Sequence, residues 1–282
     1  MYNGILVLDK IYGAPSRGCV TAVSKALGGR KQKVGHAGTL DTSASGTLVL
    51  QAGSATRLSE AVMNLPKSYL ARVTFGWETS TDDATGEPLS EAVPAAYDEA
   101  ALRGALPAFQ GVRLQTPPRV SAVKVDGARA HKLARSGREP DIRPRPVNVV
   151  SIRYLGRDET GAARLLVRYT ALRASGCSGR IWGSAVPQAP AGETELAGRI
   201  QSVESLASQY YSYDANAFCE KRLSNGLGVY VSFMRFRNPG VVPVDEGVMV
   251  VGKDSLCLGA LRVENGRMII YPQANIPKAV SL

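Results

Sequence analysis

Cysteine is scarce in this chain, which has four cysteines among 282 residues and no Cys-x-x-Cys pair. Because the four are far apart, neither a structural zinc site nor a dithiol redox pair is predicted. We therefore expect a reduced, cytoplasmic protein that holds no metal.

Long apolar runs are missing from the start of the chain, where a run of a few residues ends at Asp9 and Lys10. This run is too short for a signal peptide or a membrane-spanning helix, which needs about 20 apolar residues. Internal repeats and low-complexity tracts are absent from the sequence as well. The sequence thus predicts a soluble, intracellular protein with no membrane partner.

Acidic residues are too few to balance the basic ones, since 24 Asp and Glu stand against 34 Lys and Arg, a net charge of +10. This excess favours a polyanionic partner, because Lys and Arg that neutralise phosphates release condensed counterions. Residues 119–145 concentrate the charge, with eight basic and three acidic side chains. That segment is either a phosphate-binding surface or a solvated, self-repelling one, and nucleic acid is the leading candidate partner.

The predicted strands are short and mixed with helices, often without the regular βαβ order of a doubly wound sheet. This pattern predicts an α+β fold with a mixed, largely antiparallel sheet flanked by helices. The composition changes after about residue 202, where residues 209–213 are a linker candidate and residues 241–271 carry β-rich runs between turns. We therefore expect a large domain over residues 1–205 and a small β-rich domain over residues 206–282.

Residues 33–50 contain the clearest candidate for a functional site. They place a single carboxylate, Asp41, in a loop with His36, three glycines and several small hydroxylated side chains. Glycines let such a loop approach a ligand closely, and the hydroxyls can satisfy loop amides. A loop of this composition is otherwise typical of a turn or a helix cap.

The segment Gly-His-Ala-Gly-Thr-Leu-Asp at residues 35–41, with Gly-Ile-Leu-Val-Leu-Asp-Lys at residues 4–10, resembles the TruB family of tRNA pseudouridine synthases. The resemblance continues through the first half of the chain, in the family's order and spacing. It includes four further segments, at residues 53–59, 67–76, 79–87 and 116–127.

The resemblance implies a pseudouridine synthase fold and the isomerisation of uridine 55 in the T arm of tRNA. In that reaction the glycosidic bond of a uridine breaks, the base rotates, and the bond re-forms through carbon, with no cofactor and no metal. The implied partner is tRNA, and no protein partner is implied. Residues 1–205 would be the catalytic domain, and residues 206–282 a PUA-like RNA-binding domain.

The resemblance also implies roles for individual residues. Asp41 would be the catalytic nucleophile or general base. Tyr69 would stack on the flipped base, or is simply a core tyrosine, and His36 would help to open the RNA loop, or is simply a hydrogen-bonded loop histidine. Four basic residues occupy motif positions expected to contact RNA or the site: Lys10, Arg57, Lys67 and Lys124.

Residues 169–205 depart from the family pattern. Family members carry a Tyr-Ile-Arg segment here whose arginine pairs with the catalytic aspartate, and this chain lacks it. Arg173 or Arg180 is a candidate substitute, and a local frameshift in the recorded sequence is a second hypothesis. The departure leaves open a catalytically impaired RNA-binding or tRNA-folding protein on the same scaffold. A glycoside hydrolase is a weaker alternative, since the motif lacks a second carboxylate.

Overall fold

The computed structural model describes most of the first 76 residues, the strands of the middle of the chain and much of the C-terminal region. The described residues are 1–76, 78–80, 83–84, 86–89, 96–116, 124–125, 128–129, 142, 144–171, 186–187, 199–237 and 247–277. The chain divides into two compact units, one made of Met1–Leu65 with Gly176–Leu282 and the other of Pro66–Ser175.

The first unit begins with a four-stranded sheet in the order β10-β1-β3-β2. Its strands are β1 (Gly4–Lys10), β2 (Val34–His36), β3 (Gly46–Ala52) and β10 (Val186–Pro187). Strand β3 pairs antiparallel with both β1 and β2, while β10 pairs parallel to β1. The continuous apolar run in β1 is buried, as expected for a strand covered on both faces.

Two helices follow the strands of this sheet. Helix α1 (Ser16–Ala26) buries Cys19 and Val23, which are four residues apart, the spacing of an amphipathic helix. A 3₁₀ helix (Gly53–Leu58) leads directly into helix α2 (Ser59–Asn64). Both segments bury apolar side chains on one side.

A six-stranded sheet completes the first unit, in the order β12-β16-β15-β14-β11-β13. Its elements are β11 (Tyr211–Asp214), α4 (Ala217–Ser224), β12 (Val229–Tyr230), β13 (Arg235–Phe236), β14 (Gly247–Val251), β15 (Ser255–Glu264) and β16 (Arg267–Pro277). The β-rich C-terminal region predicted from the sequence is therefore confirmed. Strands β14, β15 and β16 form an antiparallel meander through short turns.

The interpretation of residues 209–213 as a linker is wrong. Tyr210 is 2% exposed, and its hydroxyl donates a hydrogen bond to the Ala61 carbonyl. The next residues form β11, which pairs parallel to β14. Ile5 and Val49 of the first sheet share one hydrophobic core with Tyr210 and with residues of β14–β16. The domain boundary at residue 205 stays a prediction.

The second unit is built on an antiparallel sheet in the order β4-β9-β8-β5. Its strands are β4 (Lys67–Val73), β5 (Gly111–Gln115), β8 (Arg145–Arg157) and β9 (Ala163–Ala171). One face packs against helix α3 (Glu99–Ala105), whose first turn is capped by the Asp98 carboxylate. Strands β6 (Lys124–Val125) and β7 (Ala128–Arg129) pair separately.

The fold class predicted from the sequence is confirmed, because the described residues combine mixed and largely antiparallel sheets with four α-helices. None of the described helices combines the length and the apolar character that crossing a membrane requires. Most of the basic segment 119–145 lies outside the described residues, so its proposed contact with phosphate stays a prediction.

Replacing Tyr210 with phenylalanine removes only the hydroxyl that bonds to Ala61, and leaves the Ala61 carbonyl without that donor. We expect Tyr210→Phe to lower the free energy of unfolding by about 1 kcal/mol in urea denaturation. Tyr12→Phe is the control, because Tyr12 is exposed and its hydroxyl is solvated. Equal stability of the two variants would contradict a structural role for the Tyr210 hydroxyl.

Candidate active site

The Asp41 loop connects β2 to β3. His36 is the last residue of β2 and is paired with Leu50, and the chain returns at Gly46, which is paired with Lys10 of β1. Gly38 and Gly46 have φ angles of 107° and 118°, in the region that L side chains rarely adopt. The loop therefore requires two of the three glycines noted in the sequence for its backbone conformation.

Hydrogen bonds fix the backbone on both sides of Asp41. The Ser16 hydroxyl donates to the Leu40 carbonyl at 2.6 Å and accepts from the Leu40 amide at 3.0 Å. The Gly13 amide donates to the Thr42 carbonyl at 2.7 Å. Leu40 is buried, whereas Asp41 is exposed, so the carboxylate is presented to solvent from a fixed main chain.

Lys10 is a buried cation near this carboxylate. Its side chain is 0% exposed, and its ammonium donates to the carbonyls of Ile11 at 3.2 Å and Ala14 at 2.8 Å. Burial lowers the pKa of Lys10, while the Cys19 thiol and the Asp41 carboxylate act in the opposite direction. A buried ammonium is poorly placed to touch an RNA phosphate at the surface, so its position favours a role within the site.

His36 sits at the entrance to the loop and is half-buried. Burial lowers its pKa, the positive charge of Arg17 lowers it further, and the Gly38 backbone partly opposes both effects. The imidazole is therefore neutral at pH 7. Its Nδ1 atom is buried, with no hydrogen-bond partner in the part of the chain that the structure describes.

In the second unit, Lys67 and Tyr69 lie on β4. The Tyr69 ring stacks on the Tyr169 ring, with centroids 5.6 Å apart and planes inclined by 22°. Lys67 is 1% exposed, so it also lies in the interior rather than on a phosphate-contacting surface. The expected stacking of Tyr69 on a flipped base stays a prediction, as does its alternative role in the core.

The other predicted binding residues lie elsewhere. Arg57 ends the 3₁₀ helix, is exposed, and donates to the Asn275 carbonyl of β16 at 3.4 Å. The backbone of Lys124 lies in β6, while its side chain lies outside the described residues. Within the described ranges, His, Cys, Asp and Glu do not form a group of three that could hold a metal ion.

Two residues near the loop were missed by sequence reasoning. Ser16 holds Leu40, and Arg17 is an exposed cation whose charge acts on His36. Both lie in the first turn of α1, after Pro15. A serine and an arginine at the start of a helix do not by themselves indicate a functional site. Their roles depend on contacts with the Asp41 loop, which is distant in the sequence.

A comparison with protein families gives a direct assignment. The sequence profile described as "TruB family pseudouridylate synthase (N terminal domain)" matches residues 25–171, just over half of the chain. The chain belongs to the TruB family. The family match ends at residue 171, just inside the atypical segment 169–205. Residues 172–185 and 188–198 of that segment lie outside the described residues.

Curated relatives of this TruB-family chain are named tRNA pseudouridine synthase B. The protein from Paracoccus denitrificans (strain Pd 1222) is 44% identical over 167 residues, which are 58% of this chain and 54% of the relative. The protein from Dinoroseobacter shibae (strain DSM 16493 / NCIMB 14021 / DFL 12) is 41% identical over 157 residues, 56% of this chain and 51% of the relative. The chain thus spans about half the length of the curated relatives it matches.

Solved structures share the fold at low sequence identity. A crystal structure of a Cbf5-Nop10-Gar1 complex has a TM-score of 0.67 and 17% identity, covering 99% of this chain and 86% of the other. A structure of an H/ACA RNP bound to a substrate RNA containing 2'-deoxyuridine has a TM-score of 0.63 and 17% identity, with 98% and 85% covered. These similarities support the pseudouridine synthase fold.

Replacing Ser16 with alanine removes both hydrogen bonds to Leu40 while leaving the helix-forming backbone intact. We expect Ser16→Ala to speed hydrogen exchange of the Leu40 amide and to lower the free energy of unfolding by about 1–3 kcal/mol. Ser24→Ala is the matched control, since Ser24 is on the same helix and bonds to Gly29 and Gln32 instead. The same Leu40 protection in both variants would contradict the proposed anchoring.

The lowered pKa of His36 predicts a pH-dependent stability. As the pH falls, the unfolded chain, with a histidine pKa of about 6.5, binds a proton at a higher pH than the folded chain does. The contribution of His36 to the free energy of unfolding is therefore fully present above about pH 6.5. It is lost as the pH falls from about 6.5 through the folded pKa. NMR titration of the imidazole, identified by its absence in His36→Gln, should give a midpoint below 6.5, and His36→Gln should flatten the stability profile there. A midpoint at or above 6.5 would refute this.

Proposed function

We propose that this TruB-family chain is a cytoplasmic tRNA pseudouridine synthase that isomerises uridine 55 of the T arm. The observation that carries the proposal is the Asp41 loop, which holds an exposed carboxylate between two hydrogen-bonded backbone anchors. Membership of the family and the names of the curated relatives support the same reaction. The basic excess of the chain suits a tRNA partner.

The proposed reaction conserves every atom of the uridine. The bond between C1′ and N1 breaks, the base rotates, a bond forms between C1′ and C5, and the C5 proton is exchanged for one on N1. Asp41 acts either as the nucleophile or as the general base, and the buried Lys10 ammonium lies close enough for its charge to interact with the Asp41 carboxylate. The catalytic carboxylate thus needs no cofactor in this scheme.

Reaching the glycosidic bond requires the uridine to leave its stack, at a cost of a few kcal/mol. In the proposed scheme the Tyr69 ring offsets part of this cost by stacking on the extruded base. His36 contributes as a neutral imidazole that accepts or donates a hydrogen bond to RNA without carrying charge. The exposed Arg57 is the predicted phosphate contact of this set.

A second candidate function is RNA binding without chemistry. It follows from the absence of the Tyr-Ile-Arg segment, which in family members supplies the arginine that pairs with the catalytic aspartate. A carboxylate without that partner is less well oriented for reaction. The protein would then bind and help to fold tRNA. The effect of replacing Asp41 distinguishes the two functions, because only the enzymatic one requires its carboxylate.

The deciding experiment incubates the wild-type chain and Asp41→Asn with unmodified tRNA transcript and maps pseudouridine at single-nucleotide resolution. We expect product at the T-arm uridine with the wild type and a loss of about 10²–10⁴-fold or more in Asp41→Asn, the range typical of catalytic side chains. Binding of tRNA should persist, because the substitution removes a negative charge. Asp254→Asn, on the exposed turn before β15, is the matched control.

Three results would contradict parts of this proposal. Equal product from Asp41→Asn would exclude Asp41 as the catalytic group. Wild-type product at another uridine would exclude T-arm specificity. Salt-sensitive binding by both proteins with no product from either would favour the second candidate function.

A further inference from the structure

One face of the second unit's sheet gathers four arginines, and we call it the arginine face. Residues paired across antiparallel strands point to the same side of a sheet, so the register identifies its members. Arg72 of β4 is opposite Arg164 of β9. Arg153 of β8 is opposite Leu166, and Arg168 lies two residues further along β9. The arginine face consists of Arg72, Arg153, Arg164 and Arg168.

The arginine face is the outward side of this sheet. The alternate residues of the same strands, Ala71, Tyr154 and Leu165, form the buried cluster against α3. All four arginines are exposed, and Leu70, which shares their face, is 67% exposed. A helix therefore covers one side of the sheet, while the arginine side is open to a ligand.

Three of these arginines occupy regularly spaced positions in two strands. Arg153 is placed diagonally from both Arg164 and Arg168, because these lie two residues to either side of its partner Leu166. Diagonal neighbours in an antiparallel pair are about 7–8 Å apart. Arg153, Arg164 and Arg168 therefore occupy zigzag positions across two strands of one sheet face.

Only one of the four arginines has an acidic partner among the residues that the structure describes. Arg72 contacts the Asp158 carboxylate at 2.6 Å. Hydrogen bonds from Thr160, then that from Ala162 and the charge of Arg72, hold the pKa of Asp158 below its usual range. The three remaining arginines make no ion pair with a described carboxylate.

Grouping like charges on one sheet face destabilises the folded state unless an anion compensates them. The pairing of Arg72 with Asp158 reduces the repulsion between Arg72 and the directly opposite Arg164. Among the described residues, no carboxylate forms an ion pair with Arg153 or Arg168. Guanidinium groups match phosphate geometry in a bidentate way. Three arginines at separate positions on the sheet can each contact a different phosphate, so they suit a phosphodiester backbone better than an isolated anion. The overall charge of +10 is of the same sign.

We propose that the arginine face binds the phosphodiester backbone of the RNA substrate, through Arg153, Arg164 and Arg168. The proposal rests on the proposed function in one respect, that the chain acts on tRNA. It adds an RNA-binding surface within the second unit that is made from strand residues and lies outside the motifs that carry the family resemblance, apart from Arg72.

The test measures the binding of unmodified tRNA transcript at a series of salt concentrations. Each phosphate contact contributes a slope of about 0.7–0.9 to the fall of log affinity with log salt. We expect Arg153→Gln, Arg164→Gln and Arg168→Gln each to reduce the slope by this amount, and the triple variant to reduce it by about 2–3. Affinity of the triple variant near 0.1 M salt should fall by at least about tenfold.

Arg103→Gln is the matched control. It removes the same charge from an exposed residue of the same unit, on helix α3 at the opposite face, where the guanidinium lies 4.6 Å from the Tyr154 ring centroid. Its salt slope should equal that of the wild type. The triple variant should also unfold at the same or higher urea concentration, because like charges have been removed, so misfolding is separated from lost binding.

An unchanged slope in the folded triple variant would overturn the proposal, and so would equal losses in the triple variant and Arg103→Gln. A wild-type chain that binds no tRNA would overturn it too. So would a triple variant that keeps its tRNA binding but no longer binds an acidic protein that the wild type binds. Asp41→Asn separates this proposal from the proposed function. If the wild type and Asp41→Asn both form no pseudouridine, and both bind tRNA in a salt-dependent way that only the triple variant loses, the proposed enzymatic function is refuted. The proposed RNA-binding role of the arginine face is then supported.

Discussion

The antiparallel pairing of β1 with β3 is the constraint on which the candidate active site depends. Its seven paired positions run from Gly4 opposite Ala52 to Lys10 opposite Gly46. The apolar centre of both strands is buried, so sliding the register by one residue would turn core side chains to the opposite face. The same register fixes where β1 ends at Lys10 and where the Asp41 loop enters β3. The core thereby sets the position of the loop's return.

Local polar contacts then fix the main chain that carries the carboxylate. The hydrophobic core cannot orient Asp41, because the residue is exposed and makes no contribution to burial. Ser16 and Gly13 supply the missing restraint by bonding to the main chain of Leu40 and Thr42. These hydrogen bonds restrain backbone atoms and do not involve the carboxylate oxygens of Asp41. A hydrogen-bonded backbone of this kind is the preorganisation that catalysis requires.

The sequence was sufficient wherever the signal was local. The apolar run of β1, the apolar spacing of α1 and the glycine-rich loop around Asp41 are contiguous patterns, and each corresponds to one element of the structure. Signals that depend on distant partners were missed. The Ser16 bond joins residues 24 positions apart, and the Tyr210 bond joins residues 149 apart. A run of tyrosines and serines resembles a linker until the Ala61 carbonyl and the strand β14 are known to be beside it.

Positive charge has two different physical settings in this protein. Lys10 is buried, and its ammonium donates hydrogen bonds to two carbonyls. Because the surroundings have a low dielectric constant, its charge acts strongly on nearby groups. The arginine face is exposed, where water and salt screen each charge and only several together attract a polyanion. The buried cation therefore suits the reacting centre, and the exposed cations suit a long, charged substrate. The arginine of the absent Tyr-Ile-Arg segment would match neither of these environments. A catalytic arginine must be buried like Lys10 and must also be able to pair with Asp41. An exposed arginine at the surface cannot replace it by charge alone, since screening would leave the carboxylate without a fixed partner.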